Sequence, residues 1–281
     1  MTGGSDQAFA QFPPGHVIVV GDSSNIELRK AMMLAGEEEA LHKIAQGVDM
    51  YADFASDIYG KPINEDDNPT ERKLGKLGML SLQYGTGDKT FCDMARIQAP
   101  ELALDQDTAR EVVQLYRAKY RRLAALWAHC GRTVLPAILN RQLGTPVDVH
   151  GLFVTNRHGF SLPGEPGVCY KDLHMDRNIH GTAWRYTMGR EQPFLHGAKV
   201  VENLCQHAAR QVVMWQTARV HQRYPVSLSV HDEIVCVVPE EDGDACKAYM
   251  EESLALAPKW CRGKVALQGK VAIGPTYGDA K

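Results

Sequence analysis

The sequence contains no hydrophobic run long enough to cross a bilayer, which takes about 18 consecutive apolar residues. Its N-terminus, MTGGSDQAFAQFPPG, lacks the charged start and apolar core of a signal peptide. The seven cysteines are scattered, odd in number and free of any CxxC pair, which excludes a disulfide framework and a cysteine-rich zinc site. We therefore expect reduced thiols and a cytoplasmic protein.

A strong net charge is missing as well. The formal charge of −3 over 281 residues creates no global basic field, so any nucleic-acid contact must come from local patches. The sequence has no internal repeat and no low-complexity segment. With 44% hydrophobic and 23% charged residues, its composition is that of an ordinary globular protein with one large or two smaller domains.

One stretch, ERKLGKLGMLSLQYG, carries a regular pattern of chemically different side chains. Four residues recur at intervals of four: Arg72, Lys76, Leu80 and Tyr84. On an α-helix each such step turns by about 40°, so all four share one face. Two cations followed by an apolar and an aromatic side chain suit a ligand with a polyanionic end and a flat ring, such as a nucleoside triphosphate. The same spacing is common on solvated helix faces, so other segments must decide.

Two glycines, Gly75 and Gly78, lie inside that helical pattern. Each costs about 1 kcal/mol relative to alanine in a helix interior. They either weaken the helix or let another backbone or a base approach closely. Helical patterns also cover residues 37–59, 105–127 and 198–223, whereas residues 145–172 have short β-like pieces.

Acidic residues follow two short apolar runs that are typical of buried strands. The run HVIVVG ends at Asp22, and Ser23-Ser24-Asn25 can then cap a helix. The runs VSLSV and IVCVV flank His231-Asp232-Glu233, which predicts a hairpin. A turn with neither Gly nor Asn is an unusual choice for geometry alone, which favours a functional role.

Together these segments indicate nucleotidyl transfer. Carboxylates on adjacent strands, Asp22 and Asp232, could hold two Mg²⁺ ions about 4 Å apart, and Mg²⁺ prefers such hard oxygen ligands. Arg72 and Lys76 would neutralise phosphate charge, the first through its planar fork and the second as a point charge.

The ordered motifs resemble those of the family A DNA polymerases, the DNA polymerase I type. VVGDSSNIELR resembles the first palm motif, DYSQIELR, and ERKLGKLGMLSLQYG resembles the fingers motif, RxxxKxxxFGxxYG. SVHDEIV matches the second palm motif. FSLPGEPGVCY resembles the segment LPSGRxLxY, and KVVENLCQHAAR resembles a helix of phage members, ENxxQAxAR, which suggests a phage origin.

The resemblance implies an α+β fold, in which a polymerase palm of antiparallel sheet and helices carries a helical fingers subdomain. The implied boundaries are 1–37 for the first part of the palm, 38–142 for the fingers and 143–281 for the rest of the palm. Only about fifteen residues precede HVIVVGD, so the family's thumb, primer-binding segment and 3′–5′ exonuclease are absent. We therefore expect the catalytic half of a split polymerase, whose thumb and exonuclease come from a separate chain.

The resemblance also implies roles for the acidic residues. Asp22 and Asp232 would be the catalytic carboxylates that bind two Mg²⁺ ions, with the backbone carbonyl of Ser23 as a further ligand. Glu233 would support them. Glu27 matches the residue that blocks a ribose 2′-OH, so the expected substrate is a deoxynucleotide added to a primer–template.

The other implied roles concern nucleotide and DNA. Arg72 and Lys76 would grip the triphosphate, with Lys76 as general acid for the pyrophosphate leaving group, and Tyr84 would stack at the template or insertion site. Three residues would contact the primer terminus and minor groove: Arg29, Gln206 and His231. Leu80 belongs to the nucleotide-binding face but replaces the family's usual Phe or Tyr, which leaves discrimination against nucleotide analogues open.

Two alternatives to a polymerase remain. The first is a non-catalytic remnant that binds DNA or a partner. The second is a metal-dependent phosphohydrolase that uses the same carboxylates but would need neither the cationic face nor Glu27.

Overall fold

A computed structural model describes residues 13–178 and 181–280, which divide into two compact units. Within the described residues, the sheet unit comprises residues 13–26 and 208–280, and the helical unit lies within Glu27–His207. This division reflects packing alone. The palm and fingers boundaries implied by the resemblance stay a prediction.

Helices and strands are numbered in chain order within the described residues. The helices are α1 (Ile26–Ala35), α2 (Glu38–Ala45), α3 (Met50–Tyr59), α4 (Pro69–Leu82), α5 (Asp88–Gln98), α6 (Gln106–Lys119), α7 (Arg121–His129), α8 (Leu135–Leu139), α9 (Gly197–His221) and α10 (Gly243–Ala255). The strands are β1 (His16–Ser23), β2 (Val154–Thr155), β3 (Gly159–Ser161), β4 (Val168–Cys169), β5 (His174–Asn178), β6 (Gly181–Arg185), β7 (Phe194–Leu195), β8 (Val226–Val230), β9 (Glu233–Pro239) and β10 (Gly269–Gly274).

The sheet unit is built on a four-stranded antiparallel sheet in the order β10-β1-β9-β8. Because successive side chains of β1 point to opposite faces, its apolar run fills two cores. Val19 packs with Met250 and Leu254 of α10 on one face, and Ile18 and Val20 pack with the C-terminal residues on the other. The predicted α+β class, with an antiparallel sheet and helices, is confirmed.

Helix α10 lies tightly against the end of the sheet that carries the acidic residues. A side chain at Gly21 would place its Cβ 2.4 Å from the sulfur of Met250, and one at Gly269 would meet Leu254 at 2.3 Å. A Cβ at Gly269 would also lie 2.8 Å from the backbone carbonyl oxygen of Asp22, so glycine is required there, whereas at Gly21 the flexible side chains of Met250 and Leu254 would have to shift.

The helical unit departs from the sequence prediction in two places. Residues 37–59 form two helices rather than one, because Gly47 adopts a φ of +76° and Asp49 then caps α3. The pattern of residues 105–127 likewise divides at Tyr120, a buried residue with non-helical dihedrals. Periodicity does not reveal such breaks, because the apolar stripe continues through them.

Helices α3 and α4 pack at close range through glycine. A Cβ at Gly75 would lie 2.1 Å from the carbonyl oxygen of Tyr51, and one at Gly78 would lie 2.6 Å from the Phe54 ring. Of the two readings of these glycines, close backbone approach is the correct one. The helix itself forms with Pro69 in its first turn, but it ends at Leu82, so Tyr84 lies beyond the helix on which the other three residues of the pattern lie.

Two three-stranded sheets, β2-β3-β4 and β5-β6-β7, complete the helical unit. The first lies within residues 145–172, where the sequence shows β-like pieces, whereas the second lies at residues 174–195, where the sequence pattern predicts no strand. Among residues 13–178 and 181–280, no helix is both long enough and apolar enough to span a bilayer.

Candidate active site

The predicted carboxylates meet at one end of the sheet in the sheet unit. Asp22, near the end of β1, is directly opposite Glu233, the first residue of β9. The N–H of Ser23 donates to the carbonyl oxygen of Asp232 at 3.2 Å. On its other side Asp22 is opposite Lys270 of β10. The sheet register therefore brings together the four residues predicted from two separate motifs: Asp22, Ser23, Asp232 and Glu233.

The hairpin between β8 and β9 is confirmed, and its loop consists of His231 and Asp232. His231 is exposed and adopts a φ of +54°, a left-handed conformation that costs a residue other than glycine about 1 kcal/mol or more. Glycine would suit this backbone better. The strain supports a functional requirement for the His231 side chain.

The side chain of Ser23 is hydrogen-bonded to Gln216, a residue that sequence reasoning did not single out. Its hydroxyl donates to the amide oxygen of Gln216 at 3.2 Å, and Gln216 donates to the carbonyl oxygens of Leu254 and Leu256 at 2.9 and 3.0 Å. Gln216 is completely buried. Its hydrogen bonds tie the end of β1 to the end of α10, so Ser23 has a fixed backbone position. The only signal in the sequence is one amide in an apolar stretch, VVMWQ.

Glu233 also has a partner that motif spacing did not reveal. The hydroxyl of Tyr277 donates to its carboxylate. Tyr277 comes from TYGDAK, a segment in which the sequence pattern shows no chemistry. The contact orients Glu233 from the C-terminal side of the chain.

The donor atoms at this end of the sheet suit Mg²⁺ in type. The predicted ligands are carboxylate and carbonyl oxygens, and Mg²⁺ usually takes one or two carboxylates and completes its octahedron with water and substrate phosphates. Within the described ranges no group of three or more His, Cys, Asp or Glu side chains is arranged as a metal site. The carboxylates of Asp22 and Asp232 and the carbonyl of Ser23 fit Mg²⁺ in the chemistry of their donor atoms.

In the helical unit, the predicted nucleotide-binding face lines a pocket of about 610 Å³. Arg72, Lys76 and Leu80 all contribute to it, together with Leu77 and Met94. Leu80 is 42% exposed, which is unusual for a leucine in a packed helix. The pocket thus combines cationic and apolar walls, as the spacing predicts, and it is large enough for a small-molecule ligand.

Tyr84, the fourth residue of the pattern, does not line that pocket. Its hydroxyl donates a hydrogen bond to the carboxylate of Glu27 on α1 at 2.5 Å. Burial, together with the neighbouring Cys205 and Glu27, raises the pKa of Tyr84 far above its ordinary value. The hydroxyl therefore stays protonated and remains a donor. This hydrogen bond joins Glu27, which the resemblance assigns to the sugar, to Tyr84, which it assigns to the base.

The three residues predicted to contact DNA differ in accessibility. Gln206 on α9 and His231 are exposed. Arg29 on α1 is only 6% exposed, and burial lowers the pKa of its guanidinium. Their roles stay predictions.

Comparisons with known proteins find similarity to DNA polymerases. Residues 5–134 match the family model described as DNA polymerase family A. The DNA polymerase of Bacillus phage SP02 is 26% identical over 266 residues, which is 89% of this chain and 39% of that protein. DNA polymerase I of Caldicellulosiruptor bescii is 24% identical over 273 residues, or 95% of this chain and 27% of that protein.

A solved structure shares the fold. The POL domain of Pol1 from M. smegmatis, in complex with DNA primer-template and dNTP, superposes with a TM-score of 0.59 at 16% identity. The match covers 95% of this chain and 41% of that one. The chain thus spans well under half the length of the relatives that it matches.

Proposed function

We propose that the chain is part of a family A DNA polymerase and carries out template-directed DNA synthesis, adding deoxynucleotides to a primer 3′-OH; the family match over residues 5–134 and the similarity to a phage DNA polymerase support this. The observation that carries this proposal is the meeting of Asp22, Ser23, Asp232 and Glu233 at one sheet end. These residues come from motifs that lie far apart in the chain. Their convergence is what a nucleotidyl-transfer site requires.

In this proposal the carboxylates of Asp22 and Asp232 and the carbonyl of Ser23 would hold Mg²⁺. The two ions, when bound, supply electrostatic stabilisation to the attacking and leaving oxygens of an in-line displacement. Glu233, which is oriented by the hydroxyl of Tyr277, supports these two carboxylates. Gln216 keeps Ser23 in place so that its carbonyl does not have to reorganise.

The pocket of the helical unit receives the incoming nucleotide. Arg72 and Lys76, which both line this pocket, bind its phosphates, and Lys76 acts as the general acid for the pyrophosphate leaving group. Leu80 provides an apolar surface for the base or sugar. Glu27, held by Tyr84, excludes a ribose 2′-OH, so that deoxynucleotides are preferred.

The primary test is primer extension by the purified chain, with Asp22→Asn and Asp232→Asn as variants. Each is expected to lower the rate at least about 100-fold, because the developing phosphoryl charge loses its stabilisation. Asp244→Asn, at an exposed carboxylate of α10, is the matched control and should retain activity. Equal activity of all four proteins would overturn the assignment.

The same assay separates the alternatives. A polymerase releases pyrophosphate only when a primer–template is present, whereas a phosphohydrolase consumes the nucleotide without it. A binding protein that lacks catalysis would retain its affinity for DNA in both variants and release no pyrophosphate at all.

We also propose that a separate chain supplies the thumb and the 3′–5′ exonuclease, and that the protein acts in the cytoplasm of a phage-infected cell. The similarity to a phage polymerase and the seven free cysteines support this setting. Adding candidate partner proteins should then increase the number of nucleotides incorporated per binding event. Unchanged processivity with every neighbouring gene product would count against a split enzyme.

A further inference from the structure

Arg72 is already held by two carboxylates in the helical unit. Its Nε donates to Oδ2 of Asp49 at 2.5 Å, and Nη1 lies 3.2 Å from Oε1 of Glu65. The guanidinium also lies over the ring of Tyr51, 5.5 Å from the centroid. The side chain is 19% exposed, so these contacts restrict it on most sides.

The two carboxylates differ in how firmly they are held. Oδ1 of Asp49 accepts from the backbone N–H groups of Tyr51 at 3.0 Å and Ala52 at 3.3 Å, which caps the start of α3. Its other oxygen binds Arg72. The Asp49 carboxylate therefore joins the N-terminus of α3 to Arg72 on the cationic face, and its own position is set by α3.

Glu65 belongs to the polar loop before α4, and its side chain is 70% exposed. It lines the same pocket as Arg72 and Lys76. An exposed ion pair of this kind contributes little, because water and salt screen it. Its carboxylate nevertheless occupies an edge of the guanidinium that a phosphate would need.

We propose that Asp49 positions Arg72 for phosphate binding and that Glu65 is a displaceable carboxylate whose place the triphosphate takes. Asp49 binds Nε and leaves the terminal nitrogens for the ligand, so it stays in place when nucleotide enters. Glu65 competes with the ligand and so raises the nucleotide concentration needed for half-saturation. This inference rests on the proposed function, since it assumes that the pocket binds a nucleoside triphosphate.

The role of Asp49 is testable because its two functions can be separated. Asparagine caps a helix about as well as aspartate but cannot accept from Arg72 with the same oxygen and charge. Asp49→Asn should raise the KM for dNTP about tenfold, because a guanidinium that is no longer fixed must be ordered by the ligand. Its kcat should change much less.

Asp105→Asn is the matched control. Asp105 caps α6 through the N–H of Thr108 at 2.7 Å, and it forms no ion pair within the described ranges. Both variants therefore lose the same charge at a helix N-terminus of the same unit. Equal KM values for the two variants would overturn the positioning role.

A double variant excludes a merely structural effect. In an Arg72→Ala background, Asp49→Asn should leave the KM for dNTP unchanged, because its partner is gone. A further increase of the same size in that background would show that Asp49 acts through folding and would refute the proposal.

Glu65→Gln should act in the opposite direction and lower the KM for dNTP about two- to fivefold. Glu38→Gln is its control. Glu38 is an exposed carboxylate that forms an ion pair with Nη1 of Arg122 at 2.8 Å, and it does not line this pocket. An unchanged or raised KM in Glu65→Gln would overturn the displacement. Binding of inorganic tripolyphosphate, measured by calorimetry, should follow the same order.

These outcomes differ from a failure of the proposed function. If the wild-type chain extends no primer and binds no tripolyphosphate, both ideas fail together. If the wild-type chain is active and the variants behave like their controls, only this inference fails.

Discussion

The hydroxyl of Tyr84 donates to the carboxylate of Glu27 across 57 positions of the chain. The bond joins the first turn of α1 to the residues that follow α4. Because Tyr84 stays protonated, Glu27 has a permanent donor and its carboxylate is held in one orientation. Discrimination between sugars would therefore depend on two residues rather than one.

Glu27→Ala is expected to relax the exclusion of ribonucleotides. Removing the side chain frees the space that a 2′-OH would occupy, so the ratio of kcat/KM values for dNTP over rNTP should fall at least about tenfold. Single-nucleotide incorporation with each substrate measures this ratio. Glu111→Gln, at an exposed position of α6, should leave it unchanged. An unaltered ratio in Glu27→Ala would remove Glu27 from the site.

Tyr84→Phe keeps the ring and removes only the donor. The Glu27 carboxylate then loses its partner, so the same ratio should fall by a smaller factor, about two- to fivefold. Combining Tyr84→Phe with Glu27→Ala should add nothing to the effect of Glu27→Ala alone. Additive effects would mean that the tyrosine acts on the base and not through Glu27.

Gly75→Ala should destabilise the helical unit by about 1–3 kcal/mol, because the new Cβ would collide with the Tyr51 carbonyl oxygen and force α3 and α4 apart. Urea unfolding followed by circular dichroism measures the change. Gly131→Ala is the control, since its Cβ would meet only ordinary contacts at 3.6 Å within a helical segment. Equal stability of the two variants would contradict the close packing.

A pH dependence is expected from Asp53. Burial by itself would raise the pKa of this carboxyl, but the ammonium groups of Lys119 and Lys43 hold the pKa below its ordinary value. The nearest contacts are 2.7 and 2.9 Å. The unfolded chain therefore binds the proton more tightly, so this stabilisation is complete above about pH 4 and is lost as the pH falls through the folded pKa.

Asp53→Asn should lower the free energy of unfolding by about 1–2 kcal/mol at pH 7 and should reduce the loss of stability on acidification. Unfolding in urea at pH 7 and near pH 3 measures both effects. Asp93→Asn, which removes an exposed pair with Arg96, should change stability by less than about 0.5 kcal/mol at either pH. Parallel pH profiles of stability for wild type and Asp53→Asn would show that Asp53 is not the source of this pH dependence.

Much of the site is determined by local sequence. The four-residue spacing places Arg72, Lys76 and Leu80 on one helix face, and the pocket confirms that face. The apolar runs correctly predict β1 ending near Asp22 and the hairpin around Asp232. These features follow from the periodicities of helix and strand, which short stretches of chain express by themselves.

The tertiary structure alone decided which side chains hold these residues in place. Asp49 reaches Arg72 across 23 positions, Tyr277 reaches Glu233 across 44, and Gln216 reaches Ser23 across 193. It also decided that the helical pattern of residues 37–59 breaks at Gly47. A periodic pattern reports which way a side chain points on its own element. It carries no information about the distant segment that packs against it, because that partner is selected by the shape and hydrogen-bonding needs of the whole core.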